Sequence, residues 1–353
     1  MLSLSLFAGS VFLLAVTVLA KVRLHNWWIR VCEFPRLQLA ALALAIAALT
    51  PLIESPWVQP TVFVSLLVLA LQAYRILPWT PLWRVQVKRA DLNNTDPCVS
   101  LLISNVLTPN RNARGLVEQI LRLQPDVVLT LESDQWWGDK LDDALAEDWP
   151  YSVKIPQDNL YGMHLYSRLA LEDIQIKRLI QDDIPSIHAK LILEDGSKID
   201  LHALHPRPPA PQESDESLWR DAELLLVGKE ISASDNPALL IGDLNDVAWS
   251  RTTRLFSRVS GMLDPRRGRG MFSTFHAEYR LLRWPLDHIF ITRHFTLASI
   301  KRLDKFGSDH FPIHATLCFT PEKRFEQEKP EEDQAEREAA DDTIAEAKSR
   351  GGE

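Results

Sequence analysis

No ionisable side chain occurs between positions 2 and 20 of this chain. An α-helix needs about 20 apolar residues to cross the roughly 30 Å hydrocarbon core of a bilayer, so this run is long enough to span one. Two further uncharged stretches follow. Positions 37–53 are rich in Ala and Leu, and positions 55–74 have their apolar heart at 62–73. Trp27, Trp28, Trp57, Trp79 and Trp83 flank these stretches, where an interfacial aromatic belt would sit. A cleaved signal peptide is the competing reading of the first stretch. No Lys or Arg precedes it, however, and it is longer than the usual apolar region of such a peptide. Buried core helices are the competing reading of the other two, but neither stretch has a polar face. The expectation is an anchor over residues 1–90 with about three transmembrane helices and the start of a linker.

Loop charges orient the anchor. Lys21, Arg23, Arg30 and Arg36 lie between the first two stretches, only Glu54 lies at the second turn, and Arg75, Arg84, Lys88 and Arg89 follow the third. The positive-inside rule then puts the first loop and everything after residue 75 in the cytoplasm.

The remainder reads as one soluble domain, 91–320, with an acidic tail, 321–353. The polar run DLNNTDP at 91–97 serves as a linker. After it, strand and helix patterns alternate. Strands are expected at 99–104, 126–132, 163–167, 187–193, 198–205, 238–242, 287–292, 296–302 and 313–319. Helices are expected at 114–123, 135–146, 213–232 and from 250. This is mixed α/β, with helices covering sheet faces. The tail holds twelve acids and six bases and few apolar residues, so it is expected to be disordered or a loose solvated helix. It carries −6 of the chain's −8 formal charge. The rest is nearly neutral, which neither opposes a phosphate substrate nor announces nucleic acid. Cys32, Cys98 and Cys318 show no C-x-x-C spacing and are expected to be free structural thiols.

Acids, amides and imidazoles recur where strands begin or end. Asn105 follows the first strand of the domain and Glu132 ends the second. His205 ends LHALH. Asp243 and Asn245 follow ALLIG. Asp287 opens DHIFIT, and Asp309 and His310 precede the last strand. Strand ends are where α/β sheets gather their ligands, so these positions can converge on one pocket. Glu132, Asp309 and Asn105 offer hard oxygens suited to Mg²⁺ or Mn²⁺. Such an ion neutralises a phosphoester's oxygens. An Asp–His pair can take a proton from attacking water. Each element has a bland alternative: a capped turn, a solvated edge, a hairpin. His202, His276, His288 and His314 are read as structural, while His164 and Arg168 are candidate substrate contacts. Arg266, Arg267, Arg269, Arg280 and Arg283 lie among aromatics in 264–283. They suit phosphate and base contacts, a solvated loop, or anionic lipid heads.

The ordered series NVL, QPDVVLTLES, YGMHLYSRLAL, LHALHP, IGDLND, PLDHIFI and GSDHFPI resembles the endonuclease/exonuclease/phosphatase superfamily, with its deoxyribonuclease-like fold, over about 99–319. The anchor is similar to that of the superfamily's membrane-bound bacterial subgroup, which implies an inner-membrane location. The resemblance implies a four-layer α/β sandwich and a divalent-metal hydrolase of phosphoesters. It gives Asn105 and Glu132 to the metal site, with Asp309 near it, and Asp243 and Asn245 to orienting the nucleophile and stabilising phosphoryl oxygens. His310 becomes the general base, buttressed by Asp287, and His205 matches a His of the deoxyribonuclease and sphingomyelinase branches. Leu107 stands where some branches carry a second acid, and Leu244 replaces the usual Phe. Three functions follow as expectations: a nuclease, a lipid or inositol-type phosphatase, or a non-catalytic membrane adaptor that keeps the fold.

Overall fold

The computed structural model describes residues 1–91 and 93–351. It begins with helices α1 (Leu2–Leu19), α2 (Trp27–Arg30), α3 (Arg36–Leu49) and α4 (Val58–Ile76). α1 and the helical run Val58–Trp79 are each long and apolar enough to cross a membrane. The segments Trp27–Glu33 and Arg36–Leu52 meet that description only together and are bent by 65° at their junction. So two spans stand out, or three if the bent pair is one. Polar side chains stitch the bundle from within: Gln72 donates to Thr17 Oγ1 at 2.8 Å and accepts from Arg36 Nη1 at 3.1 Å. Between apolar helices such hydrogen bonds fix register.

The catalytic-size domain follows in the order β1 (Cys98–Asn105), α5 (Ala113–Leu123), β2 (Val127–Leu131), α6 (Gln135–Leu145), β3 (Tyr151–Ile155), β4 (Met163–Ser167), β5 (Leu171–Lys177), β6 (Ser186–Ile192), β7 (Lys198–Ala203), α7 (Leu218–Ser232), β8 (Ala238–Asp243), α8 (Arg251–Ser260), β9 (Asp287–Ile291), β10 (Phe295–Arg302), β11 (Ile313–Phe319) and α9 (Gln334–Arg350). One sheet runs β10-β11-β1-β2-β4-β3 and the other β5-β6-β7-β8-β9. Their inner faces close on one apolar core that includes Leu101, Leu129, Leu201, Ile241, Ile289 and Ala315. Outer cores form under α5 and α6, around Trp137, and under α7 and α8, around Phe256. This is the expected α/β sandwich of two mixed sheets flanked by helices.

Three features differ from expectation. β3 and β5 were not foreseen: β5 is almost wholly exposed on a sheet edge, and three of the five residues of β3 face water, so neither shows a hydrophobic run. The acidic tail forms α9, capped by Asp333 and Glu336. Its Ala340 and Ile344 bury against Leu225, Leu255 and Val259, so three apolar residues on one stripe suffice to dock an otherwise charged helix. Finally, Cys98 and Cys318 are not free. They are direct partners in the β1–β11 register and form a disulfide, which a separation of 220 residues hid from any local spacing rule. Cys32 is the free cysteine.

The loop before α3 docks onto the domain. Trp27 N donates to Asp215 O and Ser217 N to His25 O. Arg30 reaches Thr252 Oγ1 at 2.7 Å, and the Glu33 carbonyl accepts from Trp249 Nε1 at 2.8 Å.

Candidate active site

The strands that carry the candidate residues end at one rim of the sandwich. β1 and β2 run parallel, so Asn105 lies opposite Leu131 and next to Glu132. β8 and β9 are antiparallel with Asp243 opposite Asp287, so the end of one strand meets the start of the other. The turn after β8 requires a residue without a side chain. A Cβ on Gly242 (φ +143°) would sit 1.9 Å from Leu204 O, and this close approach delivers Asp243 beside the end of β7. Glu132 (φ +56°) and Asn245 (φ +51°) both adopt the left-handed region, which turns their side chains out of strand geometry.

Asp243, Asp287 and His310 offer ligand atoms that all lie within 4.8 Å of one another. His310 Nδ1 is 2.8 Å from Asp287 Oδ2, and its Nε2 is 3.5 Å from Asp243 Oδ2. Burial alone would lower His310, but Asp287 and then Asp243 outweigh it and push it up to about 10. Burial in turn raises Asp287 above the usual carboxylate range against the attraction of His310. Asn105 donates its amide to Glu132 Oε1 at 2.7 Å and to Asp243 Oδ2 at 3.2 Å, bridging the two sheets. Its oxygen accepts from Leu107 N at 3.0 Å. Desolvation pushes Glu132 up to about 7 against that hydrogen bond, with Asp243 and Asp309 adding to the rise. Glu132 Oε2 is buried and has no hydrogen-bond partner. A buried carboxylate oxygen without a donor, among three further acids, fits a cation.

His205 is buried, edge-on to Tyr161, with Nδ1 unpartnered. Burial lowers it to about 4 against the pull of Asp243, so it is a neutral imidazole at neutral pH. Asn245 N donates to Asp243 Oδ1 at 2.9 Å, and its side chain is tied to Pro206 O at 3.0 Å. Asp309 is partly exposed beside the cluster, and its carbonyl accepts from Ala277 N at 2.6 Å.

Arg168 and His164 do not join this group. β4 runs antiparallel to β2, so Ser167 pairs with Val127 at the far end from Glu132. Arg168 there bonds Gln124 and lies over Trp149, 4.6 Å from the ring. His164 turns to the outer face, where its Nδ1 meets Ser133 Oγ at 2.7 Å against α6. Arg266 also has internal duties. It is buried, forks onto Asp264, and donates to Asp287 O at 2.9 Å.

Residues not singled out from sequence complete the surround. The Phe275 ring lies tilted against that of His310, 5.0 Å between centroids, and the two residues pair through the backbone. Arg220 holds the turn after β8, bonding Asn245 O at 2.6 Å and pairing with Asp246 at 3.1 Å. Tyr161 donates to Glu213 at 2.7 Å while facing His205. The one available signal for Arg220 was an Arg-Asp pair at the start of a helix whose middle, Leu224–Val227, is apolar.

Solved structures share the fold. Zebrafish (D. rerio) TDP2 complexed with a single-strand DNA product is 18% identical, with a TM-score of 0.53, covering 63% of this chain and 99% of that one. The human Nocturnin catalytic domain, solved with a bound sulfate anion, is 17% identical, with a TM-score of 0.52, covering 64% and 96%. An endonuclease/exonuclease/phosphatase from Beutenbergia cavernae is 15% identical, with a TM-score of 0.52, covering 64% and 72%. No protein with a curated function matches the chain. The model of the Endonuclease/Exonuclease/phosphatase family matches residues 102–310, from the middle of β1 to the buried histidine of the cluster. That span is more than half of the sequence and contains every acid and imidazole gathered at the rim, and the chain therefore belongs to that family.

Proposed function

We propose that this protein is a membrane-anchored, divalent-metal-dependent phosphoester hydrolase with a nuclease-like site. The observation that carries the reading is His310 held between Asp287 and Asp243, beside Glu132 with its unpartnered oxygen. Asp287 accepts the Nδ1 proton and so aims Nε2 at the cluster; with His310 pushed up to about 10, Nε2 acts as the base only in the deprotonated fraction, which grows as pH rises. His310 takes the proton of the attacking water there. Asp243, braced by Asn105 and by Asn245 N, orients that water. Asn245 and the neutral His205 face the phosphoryl and leaving oxygens. Glu132, Asn105 and Asp309 are the residues that would hold Mg²⁺ or Mn²⁺. When bound, the ion supplies neutralisation of charge on the phosphate.

Zebrafish TDP2 in complex with a single-strand DNA product supports a nucleic-acid phosphodiester as substrate. The long apolar helices support a site held at a bilayer, and the loop charges favour the cytoplasmic face of a bacterial inner membrane.

The test is hydrolysis by the full chain in detergent of plasmid DNA, RNA, bis-p-nitrophenyl phosphate and phosphoinositides. Each is offered with Mg²⁺, Mn²⁺ or EDTA, alongside His310→Ala. EDTA-sensitive turnover that disappears in the variant is expected, and the preferred substrate separates nuclease from lipid or inositol phosphatase. A folded protein inactive on all of them with metal present would instead be a membrane adaptor.

A further inference from the structure

Four cations beside the membrane helix α3 have no counter-charge. Arg280, Arg283, Lys301 and Arg302 line a groove of about 820 Å³. Among the described residues, none of them pairs with a carboxylate. Glu278, the acid of the hairpin closed where Phe275 bridges Trp284, is taken by Lys305 at 3.0 Å. Arg283 and Arg302 instead bond backbone carbonyls of the hairpin and both lie over the ring of Phe311, at 4.9 and 4.3 Å. Burial and then Arg283 hold Arg302 below the ordinary guanidinium value, as expected for adjacent cations without an anion.

The opposite wall is apolar and belongs to the anchor. Leu37 and Ala41 of α3 line the same groove as Leu281 and Ile300. Gln38 donates to Leu281 O, which fastens the hairpin to the helix. The hairpin tip is oily and open, with Leu281 84% and Tyr279 61% exposed. Exposed apolar side chains of this size beside an apolar helix suit the depth where head groups meet acyl chains.

We propose that this groove binds an anionic phospholipid of the surrounding bilayer, its phosphate on the four cations and its chains along Leu37, Ala41 and Leu281. The one groove offers both cations and apolar side chains, the two halves of an amphiphile. A nucleic acid would use the cations but has nothing to lay against an apolar helix. The groove abuts the proposed active site, because Phe311 follows His310 directly and the ring of Phe275, on the same hairpin, packs against that of His310.

The experiment uses the full chain, delipidated in detergent with EDTA present, and native mass spectrometry to count retained phosphatidylglycerol against phosphatidylcholine. Binding is read without turnover, so failure of the hydrolytic reading leaves this result intact. Retention of phosphatidylglycerol is expected to exceed that of phosphatidylcholine by on the order of tenfold. Arg280→Glu with Lys301→Glu, both exposed side chains, should abolish that preference, and Leu281→Asp should weaken retention of both lipids. Equal retention of the two lipids, or a preference untouched by the double substitution, overturns the proposal. So does a double variant that loses binding of a fluorescent single-stranded oligonucleotide while keeping its lipid preference, which would give the groove to nucleic acid.

Discussion

Arg220 Nη1 donates to the carbonyl oxygen of Asn245 at 2.6 Å, from a guanidinium 1% exposed. The same guanidinium pairs with Asp221 and Asp246, and Asp221 is 3.7 Å from Arg30 of the anchor loop. A buried charge chain therefore runs from the N-terminal helical segment to the turn that carries Asn245. Removing one member of a buried pair costs about 3–5 kcal/mol, because the partner stays desolvated. Arg220→Met is expected to lower the melting temperature sharply and reduce turnover, and Arg30→Met to do the same to a smaller degree. Thermal melts and kcat on one substrate check this. Unchanged melting in both variants would remove the network from the account.

Asp287→Asn should cost at least about a hundredfold in kcat, since the amide can leave the wrong tautomer at His310. It also removes the strongest influence raising His310. The acidic limb of the pH–rate profile, where the base is protonated, should therefore move to lower pH while the plateau falls. A profile that keeps its limb would show that His310 is not the titrating base.

Glu132 is costly without a cation, because desolvation has pushed it up to about 7. Glu132→Gln should therefore melt no lower than the parent chain in EDTA. Added Mg²⁺ should raise the parent's melting temperature, as any ligand of the native state does, and leave the variant's where it was. Equal metal stabilisation of both proteins would take Glu132 out of the metal site.

Glu223 on α7 offers a pH effect away from the site. It is buried, its Oε1 has no partner, and desolvation alone pushes it from 4.5 up to about 8. Between those values the folded chain keeps a proton that the unfolded chain has lost. This contribution is thus fully present below pH 4.5, falls with rising pH by at most about 1.4 kcal/mol per unit, and is gone above 8. Glu223→Gln should flatten the stability–pH curve across that window and melt higher at its alkaline end. Parallel curves would contradict the assignment.

The disulfide and the loop charges favour opposite sides of a membrane, since cytoplasmic thiols are kept reduced. The β1–β11 hydrogen-bond ladder holds Cys98 opposite Cys318 with or without the bond. Cytoplasmic placement therefore predicts a dithiol in living cells that oxidises on purification. Acid quenching followed by alkylation should label both residues. Labelling that requires prior reduction would put the domain on the outer face.

Much of the site was legible because strand ends are legible. Asn105, Glu132, Asp243 and Asp287 each sit where an apolar run meets a polar residue. What sequence could not show was strand direction. Arg168 stands one residue beyond a strand, as Glu132 does, yet the antiparallel pairing of β4 with β2 sends it to the opposite rim. Nor does composition reveal which arginines are already engaged: Arg266 is spent on Asp264, while Arg280 has no carboxylate partner. The docking of α9 rested on three small or branched apolar residues, too few to stand out against its charge.

Because Cys98 and Cys318 face each other in adjacent strands, the domain enters and leaves at a single corner. The anchor and the tail are both hung from that corner, and everything between forms one closed circuit. A graft of that circuit alone would leave Arg30 behind, and with it the ion pair to Asp221 that continues through Arg220 to the turn bearing Asn245.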